Sequence, residues 1–269
     1  MSSFSLTTAD GVRIVGRHFP GGDPADPLEL AIVMAHGFTG HHSKPMVRVI
    51  AEGLRPYAGV FAMTFRGHGK SGGQSTFGLG EVEDLNAVIA HARQVGYRQV
   101  VTAGWSMGAS NVLLHGAAVP DGVGSADAVI SISGASRWFV RDTTPMRRVQ
   151  WLIGGRTGRA VARVVLRTRI MASGWGKDHQ EAPPHPWEAI ERISPRPVLV
   201  VHGDQDSYFT PEHPQALFDA AAEPKDLWMI EGFGHAESGA DAAMVAGIGA
   251  RARAMVGLDV LPHRGTITQ

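Results

Sequence analysis

Gly104-Trp105-Ser106-Met107-Gly108 follows the β-branched run Val100-Val101-Thr102 and opens a helical pattern through Asn111, Leu113 and Leu114. A serine between two glycines at this spacing suits a sharp strand-to-helix turn. Such a turn tolerates only small flanking residues, pushes the serine hydroxyl clear of the sheet and aims the next backbone N–H at whatever the serine attacks. In a chain with 34 glycines the pattern alone carries little weight. Its neighbours along the chain give it meaning.

Upstream, the apolar run Leu30 to Ala35 ends in His36-Gly37-Phe38-Thr39-Gly40. Downstream, Pro197-Val198-Leu199-Val200-Val201 runs into His202-Gly203-Asp204-Gln205-Asp206, and Leu227-Trp228-Met229-Ile230 leads to Gly232-Phe233-Gly234-His235. Each polar candidate stands just past the carboxyl end of a predicted strand, and open α/β sheets build their sites at that edge. Strand and helix patterns alternate through the chain. After a strand–turn–strand at 4–19 and a strand at 28–36 come helix 43–55, strand 59–65, helix 80–95, strand 99–104, helix 107–118 and strand 127–133. Beyond residue 195 follow a strand, helix 212–222, strand 226–231 and a last alanine-rich helix. Strands separated by helices of ten to fifteen residues require crossover connections, hence a mostly parallel sheet.

Five blocks carry a family resemblance: His36-Gly37-Phe38, Phe65-Arg66-Gly67-His68-Gly69-Lys70-Ser71, the serine turn, His202-Gly203 with Asp206, and Gly234-His235. In these the chain resembles the α/β-hydrolase superfamily, nearest its esterase, monoacylglycerol-lipase-like and serine-aminopeptidase-like branches. The likeness runs from Asp10-Gly11-Val12 to the helix around 240–256. It implies an eight-stranded, mostly parallel sheet with flanking helices, formed by 1–134 and 196–269, and a helical cap inserted at 135–195. The order Ser, Asp, His is the triad order of that fold, so Ser106, Asp206 and His235 are the expected catalytic residues. The family's Gly-x-x-Asp spacing selects Asp206 over Asp204, which is expected to cap the turn. Motif position gives the oxyanion hole to the backbone N–H groups of Phe38 and Met107. Phe65 stands where many relatives carry Asp, and Ala109 where some carry a second glycine. A serine rather than an aspartate nucleophile argues against haloalkane dehalogenase or epoxide hydrolase chemistry.

The chemistry follows from what each group can do. A serine hydroxyl is a weak nucleophile and needs a base within hydrogen-bond reach. A histidine can take that proton and return it to the leaving group, while a carboxylate holds the imidazole tautomer and stabilises the imidazolium. The expected reaction is cleavage of a carboxylic ester or thioester through an acyl-serine. A C–C bond hydrolase or serine aminopeptidase would use the same residues, and a non-catalytic ligand-binding relative would keep them for recognition. His36, Gly37, Trp105, Trp138 and Trp151 are the expected substrate contacts. His36 and His202 each open a His-Gly turn suited to backbone hydrogen bonds, His68 sits in a glycine turn, and His41 and His42 lie just past the first loop.

Composition excludes several other classes. The 269 residues carry 25 basic and 25 acidic side chains, so no global field recruits nucleic acid or an anionic membrane. There is no cysteine, which removes disulfide and thiolate chemistry. No His/acid set has metal-ligand spacing and no glycine-rich phosphate loop occurs, so no cofactor or metal is expected. The amino terminus lacks a cationic, apolar leader pattern and no apolar run reaches the ~20 residues of a membrane span. A cytoplasmic protein acting on a small acyl substrate is expected; the composition leaves oligomeric state open.

The cap segment is itself distinctive. From Arg137 to Ile170 it holds nine arginines and one acid, Asp142, and it contains Trp138, Trp151, Trp175 and Trp187. Arg156, Arg159, Arg163 and Arg167 fall on one helical face, with Val161, Val164, Val165 and Thr168 on the other. One reading buries the valine face and solvates the arginines. The other makes the arginines an entrance for an anionic or acyl-carrier-linked substrate, or a contact with an anionic lipid surface. The tryptophans suggest an apolar acyl pocket, and the tail from Pro262 to Gln269 is expected to fray.

Overall fold

The computed structural model describes residues 1–122, 124–172 and 182–259; the expectations for Trp175 and for the tail from Pro262 lie outside these. Eight strands form one sheet: β1 (Ser2–Thr7), β2 (Arg13–Phe19), β3 (Leu30–Ala35), β4 (Gly59–Thr64), β5 (Gln99–Trp105), β6 (Ala128–Ile132), β7 (Val198–Gly203) and β8 (Lys225–Ile230). Their spatial order is β1-β2-β4-β3-β5-β6-β7-β8. Only the pairs β1–β2 and β2–β4 are antiparallel. From β4 onward every pair is parallel, so the carboxyl ends of β3, β5, β6, β7 and β8 share one edge.

Side chains alternate across a strand, and β3 shows the consequence. Leu30, Ile32 and Met34 pack into one core layer, whereas Ala31, Val33 and Ala35 pack into the other. The first layer is closed by α1 (Pro45–Leu54) through Ile50 and Leu54, and by α9 (Ala242–Met255) through Val245 and Ile248. The second is closed by α2 (Glu81–Val95) through Leu85 and Ile89, α3 (Met107–Ala118) through Val112 and Leu113, and α7 (Glu212–Ala220) through Leu217. Both faces of the parallel strands are covered, which is why these strands read as unbroken apolar runs.

The loop after β4 is held by buried charge. Arg66 Nε lies 2.8 Å from Asp84 and Nη1 2.7 Å from Asp10, and the Asp84 side chain is inaccessible to solvent. The Glu81 carboxylate accepts from Ser75 Oγ, the Thr76 N–H and hydroxyl, and the Gly78 N–H. Arg66→Ala would leave Asp84 buried without its cation. It is expected to lower unfolding stability by about 3–5 kcal/mol, read from the denaturant midpoint at constant slope. A loss below about 1 kcal/mol, typical of an exposed pair, would mean that water replaces the guanidinium.

Between β6 and β7 lie α4 (Thr144–Gly154), α5 (Arg156–Val164) and the short α6 (Pro186–Ile190). Gly158 allows α5 to pack on α4, because a Cβ there would collide with the Trp151 carbonyl. The chain beyond α5 is stitched to the loop after β4: Arg169 N–H donates to the Gly67 carbonyl at 2.7 Å and Ser75 N–H to the Arg169 carbonyl at 2.8 Å. Thr143 Oγ1 donates to the Tyr208 carbonyl at 2.9 Å, tying the start of α4 to the loop after β7. The expected valine face is corrected here. Val164 is 78% and Val165 69% exposed, while Gly158 and Ala162 are buried. The helix stops at Val164 and Arg167 takes a positive φ of 51°, so Thr168 reaches its buried place from outside the helix. The small residues, not the valines, make the packing face.

Candidate active site

The serine turn is strained as the spacing demands. Ser106 has φ 52° and ψ −113°, a region costly for a residue with a Cβ. A Cβ at Gly104 would strike the Gly108 carbonyl, and one at Gly108 would strike the Ala35 carbonyl, so both glycines are dictated by close backbone approach. Ser106 N–H donates to the Ile132 carbonyl at 2.9 Å, anchoring the turn to the end of β6. The turn delivers the hydroxyl to the rim and starts α3 at Met107.

The loops after β7 and β8 bring their polar residues to the same rim. His235 Nε2 lies 2.9 Å from Ser106 Oγ, and its Nδ1 lies 3.0 and 2.8 Å from the two Asp206 oxygens. Asp206 Oδ1 also accepts from the backbone N–H groups of Tyr208 (2.8 Å) and Phe209 (3.1 Å). Burial alone would raise the Asp206 carboxyl, but the hydrogen bond and charge of His235, with those two N–H groups, outweigh it and hold it below the usual carboxylate range. Tyr208 stacks on the imidazole at 4.1 Å between centroids. On the other side, Ala236 N–H donates to Ser133 Oγ at 3.1 Å, fixing the loop next to His235. Asp204 Oδ1 accepts the Gly232 N–H at 2.8 Å, so it ties the loop after β7 to the one after β8 instead of capping its own turn as expected.

The loop after β3 is anchored from beneath. His36 is fully buried, and burial holds its imidazole well below the usual histidine range, so the ring is neutral. Nε2 accepts the Phe65 N–H at 3.0 Å, which leaves Nδ1–H to donate to the Gly37 carbonyl at 2.7 Å. Gly40 N–H donates to the same carbonyl at 2.9 Å. In a trans peptide the C=O and the following N–H point opposite ways, so a Gly37 carbonyl pulled toward His36 turns the Phe38 N–H away from it. Phe38 lies on the cavity wall beside Gly37, Ser106 and Met107. Met107 N–H belongs to the first turn of α3, where helix geometry leaves donors without an internal acceptor.

A cavity of about 560 Å³ opens over Ser106. Its apolar wall comes from Phe77, Trp138, Phe139, Met146, Leu152 and Phe209, with Lys44, Arg137 and Glu237 among the charged residues that also line it. The five expected substrate contacts divide. Gly37 and Trp138 line the cavity. His36 is a correction, since it sits below the loop as an anchor. Trp105 is another: it is fully buried in the core layer that contains Val101 and Ala103. Trp151 is the third, 54% exposed, while Val149, Leu152 and Ile153 of the same helix turn to the cavity. His202 is buried behind Asp206, with Nε2 3.1 Å from the Phe209 carbonyl. His41 and His42 bond Ser43 and Thr64. Tyr208 and Glu237 escaped the sequence reading; their only signal is a place two residues beyond Asp206 and His235.

Such an arrangement sets an imidazole nitrogen within reach of a serine hydroxyl proton. The alpha/beta hydrolase family matches at residues 32–247. The uncharacterized protein YfhR of Escherichia coli is 28% identical over 244 residues, covering 89% of this chain and 75% of its own. Among solved structures, the esterase RhEst1 from Rhodococcus sp. ECU1013 superposes with a TM-score of 0.65 at 18% identity, covering 95% of this chain and 100% of its own. The Pyrococcus furiosus esterase Pf2001 does so with a TM-score of 0.63 at 20% identity, over 87% and 83%. Among the described residues no helix is long and apolar enough to cross a membrane.

Proposed function

This chain belongs to the alpha/beta hydrolase family, and from that premise we propose that it is a serine hydrolase cleaving a carboxylic ester or thioester through an acyl-Ser106 intermediate. The observation that carries the reading is the hydrogen-bonded chain Ser106–His235–Asp206, closed at 2.9 and 2.8 Å. In the proposed cycle His235 Nε2 takes the hydroxyl proton as Ser106 Oγ attacks the acyl carbon. The N–H groups of Phe38 and Met107 hold the oxyanion, and His235 returns the proton to the leaving alkoxide or thiolate. Water then enters by the same route and releases the acid. Asp206 fixes the tautomer that leaves Nε2 free to accept. Segment 135–195 acts as a cap whose α4 side chains shape the acyl pocket.

A fluorophosphonate probe tests the reading directly. Rapid labelling of the wild type, absent in Ser106→Ala, is expected; a folded wild type that does not label would favour the ligand-binding alternative.

The cavity wall is mostly apolar, and Arg156 and Arg163 lie on the exposed face of α5. An anionic group therefore meets these arginines only while it remains outside the cavity, as the carrier of a carrier-linked thioester would. Reversing both charges (Arg156→Glu with Arg163→Glu) is expected to lower kcat/KM for an acyl-coenzyme A thioester about 10-fold through slower association, sparing an uncharged p-nitrophenyl ester. Equal effects on both donors would remove the anion preference.

A further inference from the structure

One carboxylate joins the loop of the base to the loop beside the nucleophile. Glu237 lies in α8 (Ala236–Gly239), two residues past His235, and its Oε1 accepts the Gly37 N–H at 2.7 Å across 200 positions of sequence. A Cβ at Gly37 would stand 3.2 Å from Glu237 Oε2 and 3.3 Å from the Ser106 Cβ, so the carboxylate, Gly37 and the nucleophile are packed in direct succession on the cavity wall. Glycine there avoids both crowded contacts, at the cost of a backbone with no side chain to limit its dihedrals.

Gly37 is nonetheless gripped at both of its peptide groups. Its N–H, in the peptide shared with His36, goes to Glu237. Its carbonyl, in the peptide shared with Phe38, goes to His36 Nδ1 and to the Gly40 N–H. Fixing the two planes that meet at one Cα fixes φ and ψ there, and with them the direction of the Phe38 N–H. A hydrogen bond to a carboxylate is shorter and roughly twice as strong as one to a neutral acceptor, which suits an acceptor that must hold a flexible residue. Burial raises the Glu237 carboxyl, while the Gly37 N–H, its own N–H and the charges of His235 and Lys44 work against that rise.

We propose that Glu237 is a positioning residue: it clamps Gly37, thereby aims the Phe38 N–H at the oxyanion, and couples that loop to the one carrying the base. The reaction it serves is the serine hydrolysis assigned above, and the clamp rests on that reading only for its effect on rate. Two measurements separate the parts. Amide hydrogen exchange at Gly37, followed by NMR, reports the clamp without turnover. In Glu237→Ala it is expected to quicken about 10-fold or more, and in Glu237→Gln, whose Oε1 can accept the same N–H, to return near the wild-type rate. Turnover of a short p-nitrophenyl ester reports the consequence. Glu237→Ala is expected to lose on the order of 10- to 100-fold in kcat with KM changed less than about 2-fold, and Glu237→Gln to recover most of it. Glu237→Asp, too short to reach Gly37, replaces the alanine variant if the latter does not fold. Wild-type exchange at Gly37 in the alanine or aspartate variant overturns the clamp, as does a glutamine variant no better than alanine, or an unchanged kcat. A wild type that exchanges as expected yet hydrolyses no ester instead overturns the assigned reaction.

Discussion

Ser106→Ala is expected to lower ester turnover by on the order of 10⁶-fold in kcat, the scale seen when a triad nucleophile is removed from a serine hydrolase. In the proposed cycle serine alone among the three residues forms and breaks the covalent bond, so nothing nearby can substitute. His235 Nε2 and Asp206 would remain in place, but the base would have no hydroxyl to deprotonate. The fold should not suffer. Alanine carries the same Cβ as serine into the φ 52° conformation, and what the turn loses is the hydroxyl's hydrogen bond to His235. A thermal midpoint within a few degrees of wild type is therefore expected alongside the lost activity. Variant protein free of wild-type contamination that retains more than about 1% of kcat would dismiss Ser106 as nucleophile.

Asp206→Asn is expected to cost about 10⁴-fold in kcat with little change in substrate binding. The asparagine carbonyl would occupy the Oδ1 place, because the Tyr208 and Phe209 N–H groups donate there and demand an acceptor. That puts the amide NH₂ at the Oδ2 place, 2.8 Å from His235 Nδ1. Two donors cannot share that contact, and the Oδ1 place, 3.0 Å from Nδ1, already accepts two backbone N–H groups, so the nearer contact favours an Nδ1 without its proton and an Nε2 that carries it. An Nε2–H facing Ser106 donates to the hydroxyl instead of accepting from it, and the base is switched off with its geometry intact. Imidazole nitrogen shifts measured by NMR should report the exchanged tautomer. An active Asp206→Asn variant with an Nδ1–H imidazole would show that another group orients His235; buried His202, whose Nε2 is 3.5 Å from Asp206 Oδ2, is the neighbour to inspect.

The accuracy of the strand reading has a simple origin. Parallel strands covered on both faces must be apolar throughout, and their ends must turn polar where they meet the open edge. The expected strands at 59–65, 99–104 and 226–231 end within one residue of β4, β5 and β8. The misplacement of Trp105 had a readable cause. Period-two alternation puts it on the face of Val101 and Ala103, which is core, however close it lies to Ser106 in sequence. Trp151 could have been assigned in the same way from helical period: Met146, Val149, Leu152 and Ile153 form the cavity stripe, and Trp151 falls off it.

Other features had no local signal. The valine side of α5 is more apolar than its glycine and alanine side, yet the latter is buried, because only small residues let the helix approach α4. Glu237 reads as one more acid in a helical first turn.

The residues by themselves determined the fold, the turn that exposes Ser106 and the identity of the polar groups at the sheet edge, since these depend on local periodicity and on backbone crowding within a few positions. Which residues hold the loops was decided only by folding. Anchors such as Glu237 on Gly37 join points 200 residues apart, and a hydrogen bond of that kind leaves no trace in sequence spacing: its strength depends on distance and angle in space, not on separation along the chain.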